Sequence, residues 1–149
     1  MENIAKASID DLDSIVHIDV NVIGDDSRRD YIKHAIDEGT CIIAKEDNSI
    51  SGFLTYDTNF FGYTFLSLII VSPTKRRQGH ASSLISYMLR HSPTQKIFSS
   101  TNKSNTNMQK VFKANGFMRS GMIENLDEGD PELIFHRKKA QSINALSFY

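Results

Sequence analysis

The chain reads as an α/β protein, more finely α+β: one domain built on a mixed sheet with helices on both faces. Three observations predict this. Strand and helix periodicities follow one another in the order β-α-α-β-β-β-α-β-α-β-β, an alternation that packs helices over a sheet. The apolar run Phe65 to Val71 has the length of a central strand and leads through a basic turn into an amphipathic helix. The third is size: 149 residues, 40% hydrophobic and 23% charged, can bury the core of one ordinary domain.

The elements follow in order. Asn3 to Ala7 predicts a short strand. Ser8 is placed as an N-cap, with Asp10 and Asp11 in the first turn where carboxylates complement the helix dipole. Leu12, Ile15, Val16 and Val20 then keep helical spacing to about Val22, before Gly24-Asp25-Asp26 breaks the helix. Ser27 is expected to cap a second helix carrying Tyr31, Ile32, Ala35 and Ile36, stopped at Gly39. Strands over Cys41–Lys45 and Ser51–Tyr56 flank the polar turn Glu46 to Ser49, a hairpin signal. A turn at Asn59 to Gly62 leads into a strand over Tyr63–Val71. The helix from Gly79 to about His91 presents Ala81, Leu84, Ile85, Met88 and Leu89 on one face, and Ser92-Pro93 ends it. A strand over Lys96–Ser100 and a helix over Asn105–Asn115 follow, with Gly116 as the helix stop. Strands at Phe117–Glu124 and Glu132–Arg137 bracket an acidic turn. With no repeat or linker, residues 1–139 are expected to form one domain, and 140–149 a tail that is either disordered or packed on a partner.

Bulk properties narrow the function. A net charge of -1 argues against nucleic acid as a partner, because counterion release needs a concentrated basic face. The single cysteine, Cys41, lies in an apolar strand and reads as a small core hydrophobe. No apolar leader opens the chain and no run of 18 apolar residues occurs, so no membrane is expected and a cytoplasmic protein is the economical reading. The five histidines show no metal spacing, so no metal site is expected.

The chemistry concentrates at Val71-Ser72-Pro73-Thr74-Lys75-Arg76-Arg77-Gln78-Gly79-His80-Ala81-Ser82. A strand ends, three cations crowd a turn, and a glycine admits a close backbone approach where a helix begins. Leading N–H groups and the positive end of the helix dipole form an anion site. A Walker loop and a three-glycine dinucleotide fingerprint are both missing. What remains is Arg76-x-x-Gly79-x-Ala81, preceded by Val71-x-Pro73 and followed by helix. This resembles the pyrophosphate-binding motif of the GNAT superfamily, the acyl-CoA-dependent N-acyltransferases. The order of elements matches that family along the chain up to Lys139.

The resemblance implies a GNAT-like mixed, mostly antiparallel sheet flanked by helices, with acetyl-CoA as co-substrate. It places the cofactor on Ile70, Val71, Arg76, Arg77, Gln78, Gly79, His80, Ala81 and Ser82, the His80 side chain pointing outward from the turn. The family's Asn-x-x-Ala-x-x-Leu-Tyr-x-x-x-Gly-Phe pattern, aligned on Gly116-Phe117, sets Asn105 at the asparagine, Met108 at the alanine and Phe112 at the tyrosine. Asn105 is then a holder of the pantetheine arm, an N-cap, or both. Phe112 departs from the family, whose tyrosine protonates the departing thiolate; a phenyl ring has no proton to give. The family's central-strand glutamate is also missing: Leu66-Ser67-Leu68-Ile69-Ile70 contains no carboxylate. Ser67 remains as a group that could order a water to carry the amine proton. The implied reaction is direct attack of a neutral amine on the acetyl thioester, with backbone N–H groups near Ile69 and Val71 as the oxyanion hole.

Five carboxylates fall between Glu124 and Glu132, around Gly129 and Pro131. They read either as a solvated turn or, since the fold class sets this loop beside the acceptor, as a rim of Asp127, Glu128 and Asp130 for a cationic amine. His17 and Asp25-Asp26 lie where relatives shape acceptor pockets. The expected function is N-acetyl transfer to a small cationic metabolite or protein amine, by a monomer or homodimer. The competing readings are a non-catalytic acyl-CoA-binding module, for which Phe112 speaks, and an acyltransferase on an RNA-linked amine, against which the charge speaks.

Overall fold

A computed structural model describes residues 2–140. The tail expected at 140–149 lies outside the described residues except for Ala140, whose N–H donates to Leu89 O at 2.9 Å. Seven strands alternate with four helices: β1 (Glu2–Lys6), α1 (Leu12–Ile23), α2 (Arg29–Asp37), β2 (Cys41–Glu46), β3 (Ser49–Phe60), β4 (Tyr63–Val71), α3 (His80–His91), β5 (Lys96–Asn102), α4 (Thr106–Ala114), β6 (Met118–Ile123) and β7 (Glu132–Lys138). The strands form one sheet in the order β1-β2-β3-β4-β5-β7-β6. The pairs β1–β2, β2–β3, β5–β7 and β6–β7 are antiparallel. The predicted fold class and element order stand. No helix among the described residues is long and apolar enough to cross a membrane.

The chain divides into two compact units. One contains the residues up to Asp57 together with Leu66–Ile85; the other contains Thr58–Phe65 and the chain from Ser86 onward.

In the first unit, Leu12, Ile15, Ile32 and Ile36 pack from α1 and α2 against Cys41, Ile43 and Phe53. The helical spacing predicted this stripe. A single 3-10 turn, Ile9–Asp11, precedes α1, and the Asp11 carboxylate accepts from the Ser8 N–H at 2.9 Å. Ser27 does not cap α2, which starts behind Arg28. Instead the Ser27 N–H donates to Asp25 Oδ1 at 3.0 Å, and hydrogen bonds from the Ser27 side chain and backbone hold the Asp25 carboxyl below the usual carboxylate range. Arg28 turns back to α1 and grips buried Asp19 with both arms of its fork, Nε to Oδ2 at 2.9 Å and Nη2 to Oδ1 at 2.6 Å. The β2–β3 hairpin is tighter than expected, turning on Asp47 and Asn48 alone, both at positive φ, so that β3 starts at Ser49. Strand β3 also runs on to Phe60, four residues past its predicted end at Tyr56.

In the second unit, α4 opens on Asn105, whose side chain accepts from the Met108 N–H at 3.1 Å. It closes at Gly116 with Phe117 N–H bonded to Phe112 O at 3.0 Å, a Schellman-type end. Phe117 belongs to this closure, not to β6. The Phe112 ring packs with Phe117 and Phe135, their centroids 5.4 and 4.9 Å away.

Cys41 is 1% exposed, and burial first, then the Asp11 charge, pushes its thiol up to about 12. Relative to a free thiol near 8.5, this removes thiolate by roughly 10³-fold. Reaction with a disulfide reagent at pH 8 should therefore be slower by at least about that factor in the folded chain than in guanidinium.

Candidate functional site

Strand β4 delivers the chain to Ser72, whose N–H still reaches Ser51 O on β3 at 2.8 Å. A 3-10 turn, Pro73–Lys75, follows; its proline supplies the φ of a first helical residue. Arg76 is extended, Arg77 is left-handed at φ 65° and Gly79 at φ 83°, after which α3 begins at His80. The leading amides of α3, which have no acceptor within the helix, follow directly on this turn. A Cβ at Gly79 would meet nothing within 4 Å, so the mouth of the turn is open. Arg76, Arg77 and Gln78 are exposed there, with Arg76 Nε 3.4 Å from Val71 O. The residues present suit a large anion.

The turn is held from behind. His80 is 3% exposed, so its side chain does not point outward as expected. Its Nδ1 lies 3.2 Å from Ser51 Oγ and its Nε2 3.4 Å from Glu46 Oε2, and Lys75 Nζ approaches the other Glu46 oxygen at 3.8 Å. Of His80, therefore, only the backbone is left to an anion. Next to Ser51, Gly52 lets β3 lie close against the end of β4: a Cβ there would sit 2.7 Å from Ile70 O and 3.3 Å from Val71 Cα. A glycine inside a strand pattern marks such a close approach, a signal the sequence carried and the reading above did not use.

Ser67, on β4, is half-buried, and its hydroxyl donates to Asp57 Oδ2 on β3 at 3.2 Å. A carboxylate from the neighbouring strand thus stands beside Ser67. Ile69 and Val71 continue the same strand at the two-residue spacing. His17 lines a groove of about 980 Å³ with Asn21, Lys45, Ser49 and Thr74. Tyr31 Oη, on α2, is 3.2 Å from Thr55 Oγ1 on β3.

In the second unit, the Asn105 side chain is an N-cap. Phe112 is 1% exposed, its ring enclosed by Phe117 and Phe135, so it is core and offers a cofactor no surface. The acidic loop is largely committed to its own structure. Asp130 accepts from Ser104 N–H at 3.0 Å and Ser104 Oγ at 2.6 Å, and Asp127 accepts from Asn102 Nδ2 at 2.9 Å. Glu132 accepts from Ser100 Oγ at 2.6 Å. Glu124 and Glu128 are exposed.

The family model for the acetyltransferase (GNAT) family matches residues 10–117, most of the chain. The chain belongs to the GNAT acetyltransferase family. It is similar to a GNAT acetyltransferase from Bacillus cereus, 79% identical over 95% of this chain and 99% of that one, with a TM-score of 0.93. Two more distant structures share the fold. The ribosomal-protein-S18-alanine N-acetyltransferase from Escherichia coli is 15% identical, covers 95% of this chain and 96% of that one, and has a TM-score of 0.80. The yncA protein of Salmonella typhimurium, solved with its cofactor acetyl-CoA, is 13% identical with the same coverage and a TM-score of 0.77. No curated protein matches the chain. GNAT acetyltransferases use acetyl-CoA as co-substrate.

Gly52→Ala should cost about 1–3 kcal/mol, the usual range for overpacking, because the clash is with backbone. Urea unfolding measures it. The same variant should bind acetyl-CoA more weakly, since β4 and the turn behind it must shift.

Proposed function

We propose that this chain is an N-acetyltransferase that moves an acetyl group from acetyl-CoA to a primary amine, either a small cationic metabolite or a protein amine. The observation that carries the reading is the basic turn Lys75–Gly79 at the head of α3, with its left-handed Arg77 and Gly79. In this reading the backbone from Gln78 to Ser82 receives the pyrophosphate, Arg76 and Arg77 add charge, and Ile70 and Val71 run beside the donor. Backbone N–H groups of Ile69 and Val71 polarise the thioester carbonyl, and the amine nitrogen attacks its carbon directly. Most of the acceleration comes from holding the two reactants together, worth up to roughly 7–11 kcal/mol. Phe112 supplies no proton, so the thiolate, with an ordinary pKa of about 8.5, leaves unassisted or is protonated by solvent.

The acceptor is proposed from charge. Asp127 and Asp130 hold the loop to the Asn102–Ser104 segment, which leaves exposed Glu124 and Glu128 as the carboxylates that meet a cationic amine. The need for acetyl-CoA puts the work in the cytoplasm. Buried Phe112 favours a second reading, a binding module without catalysis. Thiol release from acetyl-CoA against amines, polyamines and lysine peptides separates the two.

Coenzyme A at a hundredfold excess over its Kd should stabilise the chain by about 2.7 kcal/mol, a Tm rise of roughly 5–10 °C. Gly79→Glu puts a carboxylate into the cradle and should abolish that rise; a variant that binds acetyl-CoA normally would overturn the site. Glu128→Gln should raise the acceptor KM severalfold and leave the KM for acetyl-CoA unchanged, whereas an unchanged acceptor KM returns the loop to a purely structural role.

A further inference from the structure

The amine must lose a proton as the amide forms, and a lone serine hydroxyl is a poor acceptor for it. Ser67 is not alone. Its hydroxyl donates to Asp57 Oδ2 at 3.2 Å, across from β4 to β3, and both side chains are half-buried and so within reach of solvent-borne reactants. With its proton committed to the carboxylate, Ser67 Oγ keeps its lone pairs for a further donor. Ser67 precedes Ile69 by two residues, about 6.6 Å along an extended strand. Two-residue spacing puts Ser67 on the same face of β4 as Ile69, one step from a carbonyl held by the Ile69 N–H.

We propose that Asp57 and Ser67 form the proton relay of the acetyl transfer, with Ser67 touching the amine or its water and Asp57 positioning and charging Ser67 from behind. The inference rests on the transferase reading above. The nitrogen lone pair forms the N–C bond, and the C–S bond breaks with its electron pair going to sulfur. The nitrogen's proton passes to Ser67 Oγ while the serine's own proton passes to Asp57. The thiolate then takes a proton from solvent, and Asp57 returns its proton to solvent. This assigns the base from a neighbouring strand, at a position ten residues from Ser67 in sequence.

The test measures thiol release from acetyl-CoA, with an amine panel and with water alone as acceptor, in the native chain and in Asp57→Asn, Asp57→Gly and Ser67→Ala. Calorimetric acetyl-CoA affinity and Tm are read in parallel. Loss of the relay should slow release roughly 10²- to 10⁴-fold at unchanged acetyl-CoA affinity. Formate should restore a measurable part of the rate in Asp57→Gly and none in Asp57→Asn, where the amide fills the space. A merely structural aspartate would not respond to formate. Rates like the native chain's in Asp57→Asn, or a loss that formate never rescues in a folded Asp57→Gly, would overturn the relay. If the native chain binds acetyl-CoA but releases thiol to no acceptor, water included, the transferase reading itself fails and the relay falls with it.

Discussion

Burying an imidazole costs hydration, and His80 offsets part of that cost with Nδ1 within hydrogen-bond reach of Ser51 on β3, while Nε2 faces Glu46 Oε2 at the end of β2 at 3.4 Å. Because His80 also opens α3, the contact ties the leading amides of the helix to the β2–β3 hairpin. Gly52 lets β3 lie close against β4 just before the turn, since any side chain there would collide with the backbone of Ile70 and Val71. The turn is therefore held from behind by the His80 side chain and by the close packing of β3 on β4. Pre-organisation matters for a phosphate cradle, because amides already aimed at one point lose little freedom when the ligand arrives.

The second unit uses charge for architecture as well. Asp130 binds both the N–H and the hydroxyl of Ser104, Asp127 binds Asn102, and Lys103 N–H reaches Pro131 O at 2.8 Å. These bonds fix the segment that ends in Asn105, the cap of α4. A loop that looks like an acidic patch in composition is, through Asp127 and Asp130, also a clamp on the segment that leads into a helix. Carboxylates accept hydrogen bonds from backbone N–H and hydroxyl groups more strongly than neutral oxygens do, which explains their density here.

Element order was legible in the chain, because period, caps and breakers act within a few residues. Tyr63–Val71 has the boundaries predicted for it, and Gly116 ends α4 as predicted. Boundaries failed where tertiary pairing overrode local pattern. Strand β3 runs on to Phe60 because hydrogen-bonded neighbours extend a strand that polar residues would have ended. Ser27 lost its cap role to a local Asx turn, an alternative open to any Asp two residues before an amide.

The same division runs through the site. By itself the sequence determined the backbone of the basic turn: basic residues, a left-handed glycine and a helix start are consecutive, so their geometry follows from local backbone preference. Only the tertiary structure decided which side chains stand behind and beside that turn. His80 and Ser51 are 29 residues apart, and Ser67 and Asp57 ten. No periodicity links them, because strand pairing and burial, not chain neighbourhood, bring them within hydrogen-bond reach. Phe112 shows the converse: its place in the motif was readable, while its enclosure by Phe117 and Phe135 was fixed by packing alone.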